Sequence, residues 1–591
     1  MLFSTRERFN SKLMRIFSDR PNMIILIICL FFSLFITINS WFGFPFVFLS
    51  NGQSYYSAFQ GVFPWSDANG YFDGPKNFVR TGNLDIWNSR RPFTSLYYSS
   101  LNLISFNNFY IALIIRNILF SLALSSCLIL IYKKFGFLTL SLTSFFMFVY
   151  SAIFIPTTLS EIPGLTLGCL SFSICWYSIE KRNSALFLFG LFLYCLALNA
   201  RSGAFFILPL LLIYYVFYFS KDKSKIKMIL LALLGITTIL SSFLMSLILV
   251  KYYGDQSAKG IMQGNFSPTL YGLVSGGKGW NYAYIKFQNF KGNDSEFYSF
   301  LYNQSYIHFI NYPKDFFIGL FYNFSDGFKR FLLFTKYLPT YLNVIITSAF
   351  LLCIVTAFVK IRNYNKNIID FISLGLISYF ISACFIAQDG GIRVFAVTII
   401  FNFISISIAL AYFIKKITTD KLSLSKNDIY FPLVLTFVIL TLSIILPGVR
   451  KNFTLNNKDV FKDNLKCSVN ESKEFIENAS KQPYIYVNTK DLSTEKRFSF
   501  LIRNPYTYNL LIQKSEIEYQ EHFRKILLEN KDPFVLGHFS DQLGYSRNYI
   551  ADKAILKENS SFLEICYNSK TIENYTIRKI TSFIPAQKLG D

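Results

Sequence analysis

The chain has 591 residues, of which 52% are hydrophobic and 16% charged, with a mean hydropathy of +0.36. Soluble domains carry about 25% charged residues, so a water-soluble globular protein is excluded. The formal net charge of +23 would suggest nucleic acid in a soluble chain. Here Lys and Arg collect in short loops between apolar runs, as the positive-inside rule requires, and no nucleic-acid partner is implied.

Residues 1–22 carry Arg6, Arg8, Lys12, Arg15 and Arg20, and an apolar run follows from Met23 to about Leu49. That run is too long for a signal peptide and has no small-residue cleavage site. It reads as a signal anchor with a cytosolic N-terminus. Further apolar runs lie near 109–132, 137–155, 161–179, 184–199, 204–219, 227–250, 339–359, 367–387, 394–414 and 429–447, giving about eleven spans. Basic loops at Lys133-Lys134, Lys181-Arg182, Lys221 to Lys227, Lys360 to Lys366 and Lys415 to Lys426 all fall on the N-terminal side. Segments 51–108, 251–338 and 448–591 are then extracytoplasmic, and a bacterial inner membrane facing a periplasm is favoured over the endoplasmic reticulum.

The expected fold is mainly α. It is a polytopic transmembrane helical bundle over 1–447, followed by a small extracytoplasmic α/β domain over 448–591. Segment 251–338 has amphipathic parts such as FIGLFYNF, which suit helices lying along the interface. The tail alternates helical stretches (Glu471 to Lys481, Lys514 to Asn530) with strand-like ones (Tyr484 to Val487, Phe534 to Gly537, Phe562 to Tyr567, Tyr575 to Ile580). Seven of nine cysteines fall in apolar runs and read as small core hydrophobes. Cys467 and Cys566 lie in the polar tail, where two cysteines outside the cytosol are able to pair; spacing alone does not show it.

Most of the chemistry-bearing residues come from the outer loops and the outer ends of spans. Asp67 follows Ser66 before a plausible helix, where a cap is the simpler explanation for the pair. Asp73 is a second carboxylate of the same loop, equally at home as a solvated turn residue beside Gly74-Pro75. Arg90-Arg91 can snorkel to headgroups or grip a phosphate. Glu161 in PTTLSEIPG stands at a helix start that Ser160 and Pro163 already explain. Arg201 ends the fifth span. Asp389 and Arg393, in AQDGGIR, occupy a short turn whose glycines would let backbone approach a ligand or whose charges pair with each other. Lys278 lies in the Gly-rich SGGKGW, without Walker A spacing. Arg116 lies inside the second span, where a charge is costly and usually faces a partner or a cavity. Apart from Arg116 these groups share one face, and mixed acids and bases converging on a wet rim suit an anionic substrate and a general base. The three His show no metal-ligand spacing, so no metal site is assigned.

The stretches SDANGYFDGPKNF and RRPFTSLYYSSL, the Glu161 segment, NARSGAFFILP and the late DGGIR turn together resemble the GT-C superfamily of membrane glycosyltransferases. The resemblance leans toward the protein mannosyltransferase and aminoarabinose transferase branch and covers roughly residues 20–415. It implies a sugar donor on a polyprenyl phosphate or diphosphate, and inverting transfer to a hydroxyl of a glycan, lipid or protein. Asp67 would be the base, with Arg91, Glu161, Arg201, Lys278, Asp389 and Arg393 around the substrate and Asp73 and Arg116 as further candidates. The acidic dipeptide of that branch is missing, since Ser66 and Ala68 flank Asp67; metal dependence is therefore open and no cofactor is implied. Two other readings stand beside it, a lipid-linked oligosaccharide polymerase or ligase and a non-enzymatic transporter or flippase. The early charged loop disfavours the first. The scarcity of charges at membrane depth disfavours the second.

Overall fold

The computed structural model describes residues 21–41, 57–58, 63–64, 67–220, 224–254, 264, 266–332 and 339–419, and parts of 472–585. Among the described residues, six helices are long and apolar enough to cross a membrane. They lie in α1 (Pro21–Trp41), α5 (Phe109–Phe135), α7 (Glu161–Lys181), α10 (Lys225–Tyr253) and the two halves of α15 (Thr340–Gly390). Four shorter apolar helices accompany them: α6 (Phe137–Ala152), α8 (Ser184–Ala200), α9 (Ile207–Phe219) and α16 (Ile399–Thr419). The run at 429–447 lies outside the described residues. The halves of α15 meet at Asn365, whose non-helical φ −138° and ψ 40° break the helix.

Helix α7 is the most enclosed of the six. Its buried residues include Gly164, Thr166, Gly168, Cys169, Ser171, Ser173 and Cys175, small side chains that let neighbouring backbones come close. By contrast α10 and the first half of α15 bury little of their length and expose Leu, Ile and Val, as lipid-facing helices do.

Between α1 and α5 lie α2 (Asp67–Thr81), α3 (Ile86–Ser89) and α4 (Pro92–Ile104). Helix α2 runs through Gly74-Pro75, so Asp73 is a helical residue and not a turn residue; its Oδ2 accepts from Asn69 Nδ2 at 3.3 Å. Between α10 and α15 lie α11 (Phe266–Val274), α12 (Asn281–Lys286), α13 (Asp294–Asn311) and α14 (Pro313–Arg330). The first region is tied to the second by Arg90, which pairs with Asp294 at 2.8 Å, and to the end of α10 by the Leu84 N–H, which donates to Tyr253 O at 2.5 Å. Arg90 is thus held by protein.

The described tail residues form a six-stranded sheet of β3 (Ser472–Glu477), β4 (Tyr484–Val487), β5 (Phe534–Ser540), β6 (Ser546–Ala551), β7 (Phe562–Ile572) and β8 (Tyr575–Pro585), after the short pair β1 (Ser57–Ala58) and β2 (Phe63–Pro64). Its order is β3-β7-β8-β6-β5-β4, with β6 and β8 parallel and the other neighbours antiparallel. Leu563, Ile565 and Tyr567 alternate into one core with Tyr549, Ala551 and Ile580. The helix expected at Glu471 to Lys481 is instead edge strand β3. Its Glu474 and Ile476 pair with Ile565 and Leu563, and cross-strand pairing outweighs the helical preference of SKEFIE. The Lys514 to Asn530 stretch lies outside the described residues. Cys566 is disulfide-bonded, whereas the seven cysteines of the apolar helices are free; Cys467 lies outside the described residues.

Candidate functional site

Glu161 is the first residue of α7 and fully buried. Its Oε1 accepts from Arg393 Nε and pairs with Arg201 Nη2 at 3.2 Å, while Oε2 has no hydrogen-bond partner. The same Arg393 guanidinium reaches Asp67 Oδ2 through Nη2 at 3.2 Å. Arg393 therefore bridges two carboxylates. The Glu161 carboxylate is closed off, while the Asp67 side chain is 45% exposed.

Arg91 completes the group. Its Nη1 donates to Tyr71 Oη at 2.8 Å and to Ser160 Oγ at 3.0 Å. Ser160 makes no capping hydrogen bond to α7, so its hydroxyl serves Arg91 and not the helix start. Tyr71 follows Asp67 by four residues on α2, hence on the same face. Burial pushes its phenol up; Arg91 pulls the other way, Asp67 adds to the rise, and Arg201 also opposes it. The phenol stays neutral near pH 7 and accepts the Arg91 hydrogen bond.

Backbone packing fixes where these charges meet. The segment carrying Arg393, a 3-10 turn at Gly391–Phe395, presses on two glycines. A Cβ on Gly203 would meet Val394 O at 1.8 Å, and one on Gly168 would meet Val397 O at 2.2 Å. Only glycine allows such an approach. It brings the turn onto the end of α8, where Arg201 lies, and onto α7 below Glu161. On the other side, Thr158 Oγ1 donates to Ala68 O at 2.6 Å and Thr94 Oγ1 to Ala200 O at 2.7 Å. These two bonds pin the starts of α2 and α4 to the same end of the bundle.

Arg116 is fully buried, and its hydrogen bonds go to backbone carbonyls, Tyr98 and Asn117 and not to the carboxylates. Its guanidinium donates to Ile155 O, to Thr157 O and, at 3.2 Å, to Tyr98 Oη. It also donates to Asn117 Oδ1 at 3.0–3.1 Å. Tyr98 Oη donates in turn to Leu159 O at 2.8 Å. Arg116 thus holds the connection that delivers Ser160 and Glu161, and acts through it.

Lys278 Nζ donates to Tyr282 Oη at 3.4 Å and makes no hydrogen bond or ion pair with Glu161, Asp67 or their arginines among the described residues. Asp389 and Gly390 close helix α15, and the turn begins at Gly391, whose φ of +58° combined with ψ of −143° is a conformation that favours glycine. That backbone conformation explains the glycine without a ligand. The Asp389 side chain and Ser66 lie outside the described residues. Arg393 pairs with Glu161 and Asp67, which are distant in sequence.

Among the described residues no group of three or more His, Cys, Asp or Glu is placed to hold a metal. Tyr71 and Ser160 are the members that residue type alone did not single out; the i, i+4 spacing from Asp67 was the available signal for Tyr71. No known family model matches the chain, and no curated protein is similar to it.

Proposed function

We propose that the chain is an integral membrane glycosyltransferase that takes a sugar from a polyprenyl phosphate carrier and transfers it with inversion to a hydroxyl of a glycan, lipid or protein. In this reading the ten apolar helices and the 429–447 run make about eleven spans. The Asp67 end of the bundle and the tail sheet are extracytoplasmic, and the Cys566 disulfide fits an oxidising compartment.

The observation that carries the reading is the make-up of the Asp67 group. Three guanidiniums (Arg91, Arg201, Arg393) face two carboxylates, leaving one positive charge in excess. Of the two carboxylates, only Asp67 is open to solvent. Asp67 accepts the proton of the acceptor hydroxyl as its oxygen forms the bond to sugar C1. The bond from C1 to the phosphate oxygen breaks on the opposite face, and the lipid phosphate leaves with the electron pair. Guanidiniums fixed before the reaction stabilise that charge without reorganising. Arg393, bound to both carboxylates, couples the base to this cationic floor.

The test is incubation of the purified protein with radiolabelled polyprenyl-phosphate sugars, beside Asp67→Asn. Sugar release or transfer by the wild type alone is expected. Equal turnover by both forms, or tight lipid binding by both without turnover, would overturn the assignment.

A further inference from the structure

Helices α11 and α12 form a hairpin whose charges the Asp67 group does not use. From 256 to 293 the chain carries Lys259, Lys278, Lys286 and Lys291 and no Asp or Glu. The structure brings two of these ammonium groups to one ring: Lys278 Nζ lies 4.4 Å and Lys286 Nζ 5.8 Å from the Tyr282 centroid. Tyr282 is itself parallel to Tyr271, 6.0 Å away, and Lys286 Nζ donates to Tyr271 Oη at 2.6 Å. That hydrogen bond is the main reason the Lys286 pKa is raised, so its charge is secure.

The neighbouring carboxylates are already committed. Asp294 pairs with Arg90 at 2.8 Å, Asp315 with His308 at 3.1 Å, and Glu296 Oε2 accepts the Asn293 N–H at 3.1 Å. Neither lysine has a carboxylate partner among the described residues. The loop between the helices is built tightly. A Cβ on Gly272 would meet Gly279 O at 2.2 Å, and one on Gly319 of α14 would meet Leu273 O at 2.1 Å. Its N–H groups at 276, 277 and 278 are spent on Leu273 O and Gly272 O, so it offers side-chain donors, not a backbone phosphate cradle. One of these is Ser275, 4% exposed, whose hydroxyl has no partner. Beside the lysines, Trp280, Tyr284 and Ile285 are exposed at 38%, 40% and 68%. Trp and Tyr next to cations, on a protein with membrane-spanning helices, match the composition of the headgroup layer.

We propose that this hairpin docks the phosphate headgroup of an anionic phospholipid, with Lys278 and Lys286 holding the phosphate and Trp280, Tyr284 and Ile285 entering the layer beside it. The proposal is independent of sugar transfer and is tested without any donor. Delipidated full-length protein is titrated with short-chain phosphatidylglycerol and with phosphatidylcholine, and bound lipid is counted by native mass spectrometry. A lysine near an anionic headgroup contributes about fivefold. The Lys278→Gln/Lys286→Gln variant is therefore expected to bind phosphatidylglycerol about 25-fold more weakly, with phosphatidylcholine unchanged. Lys278→Arg/Lys286→Arg, which keeps both charges, is expected to retain the preference. Equal phosphatidylglycerol binding by wild type and the Gln variant would overturn the proposal. Displacement of the lipid by millimolar inorganic phosphate would replace the lipid with a soluble phosphate ligand. An inactive Asp67→Asn protein that still prefers phosphatidylglycerol leaves the two conclusions separate.

Discussion

Replacing Glu161 by Gln tests whether the carboxylate is the hub of the group or only an acidic residue at a helix start. The substitution keeps the shape and one acceptor oxygen, and removes the charge. Arg201 and Arg393 are 5% and 12% exposed, so they would lose a buried counterion. Removing one partner of a buried pair costs about 3–5 kcal/mol. Against this, Oε2 already lies buried without a hydrogen bond, a burden of about 1–3 kcal/mol that the neutral amide partly relieves. The net loss expected is then about 2–4 kcal/mol. An acid acting only on the helix dipole would account for about 0.3–1 kcal/mol. The assay is thermal unfolding of the full chain in detergent, followed by fluorescence-detected gel filtration, for Glu161→Gln, Arg393→Gln and the double variant. Contact predicts that the double variant loses less than the sum of the single losses. A Glu161→Gln loss below about 1 kcal/mol, or strictly additive losses, would refute the hub.

Two predictions concern how the group is held. Arg116→Met leaves the Thr157 carbonyl without its side-chain donor and the Ile155 carbonyl with only the long 3.5 Å bond from Asn117 Nδ2, and a buried orphan costs about 1–3 kcal/mol; a large drop in melting temperature is expected, with Arg116→Lys recovering part of it. Wild-type stability for Arg116→Met would mean that the connection before α7 is held by other contacts. Gly203→Ala places a methyl group 1.8 Å from Val394 O, and backbone cannot yield as a side-chain end can, so the Arg393 turn must shift. Sugar transfer is expected to fall at least tenfold with insertion unchanged, read by the radiolabelled assay on protein of matched yield, and full activity would show that the turn need not seat on α8.

The membrane helices were legible because each is specified locally. A run of about 20 apolar residues has no other way to satisfy its backbone in lipid, and the described helices fall on the expected runs. The strand-like stretches at 484–487, 534–537, 562–567 and 575–580 fall within β4, β5, β7 and β8, whereas β6 was not read and β3 was misread because its six residues become a strand only against β7. The candidate residues were found by type and by position at span ends, and their roles were not. Ser160 looked like a cap and binds Arg91; Arg116 looked functional and binds backbone carbonyls; Lys278 looked like part of the same group and belongs to another.

By itself, then, the sequence determined a multi-span helical protein and which charges lie at span ends, since hydropathy and charge act over one helix length. Only the tertiary structure decided that Arg393 bridges Glu161 and Asp67, 232 and 326 residues away. That contact depends on whether two backbones can close on each other. At Gly168 and Gly203 they do so because no side chain stands between them, a property of the pair of surfaces that neither segment carries alone.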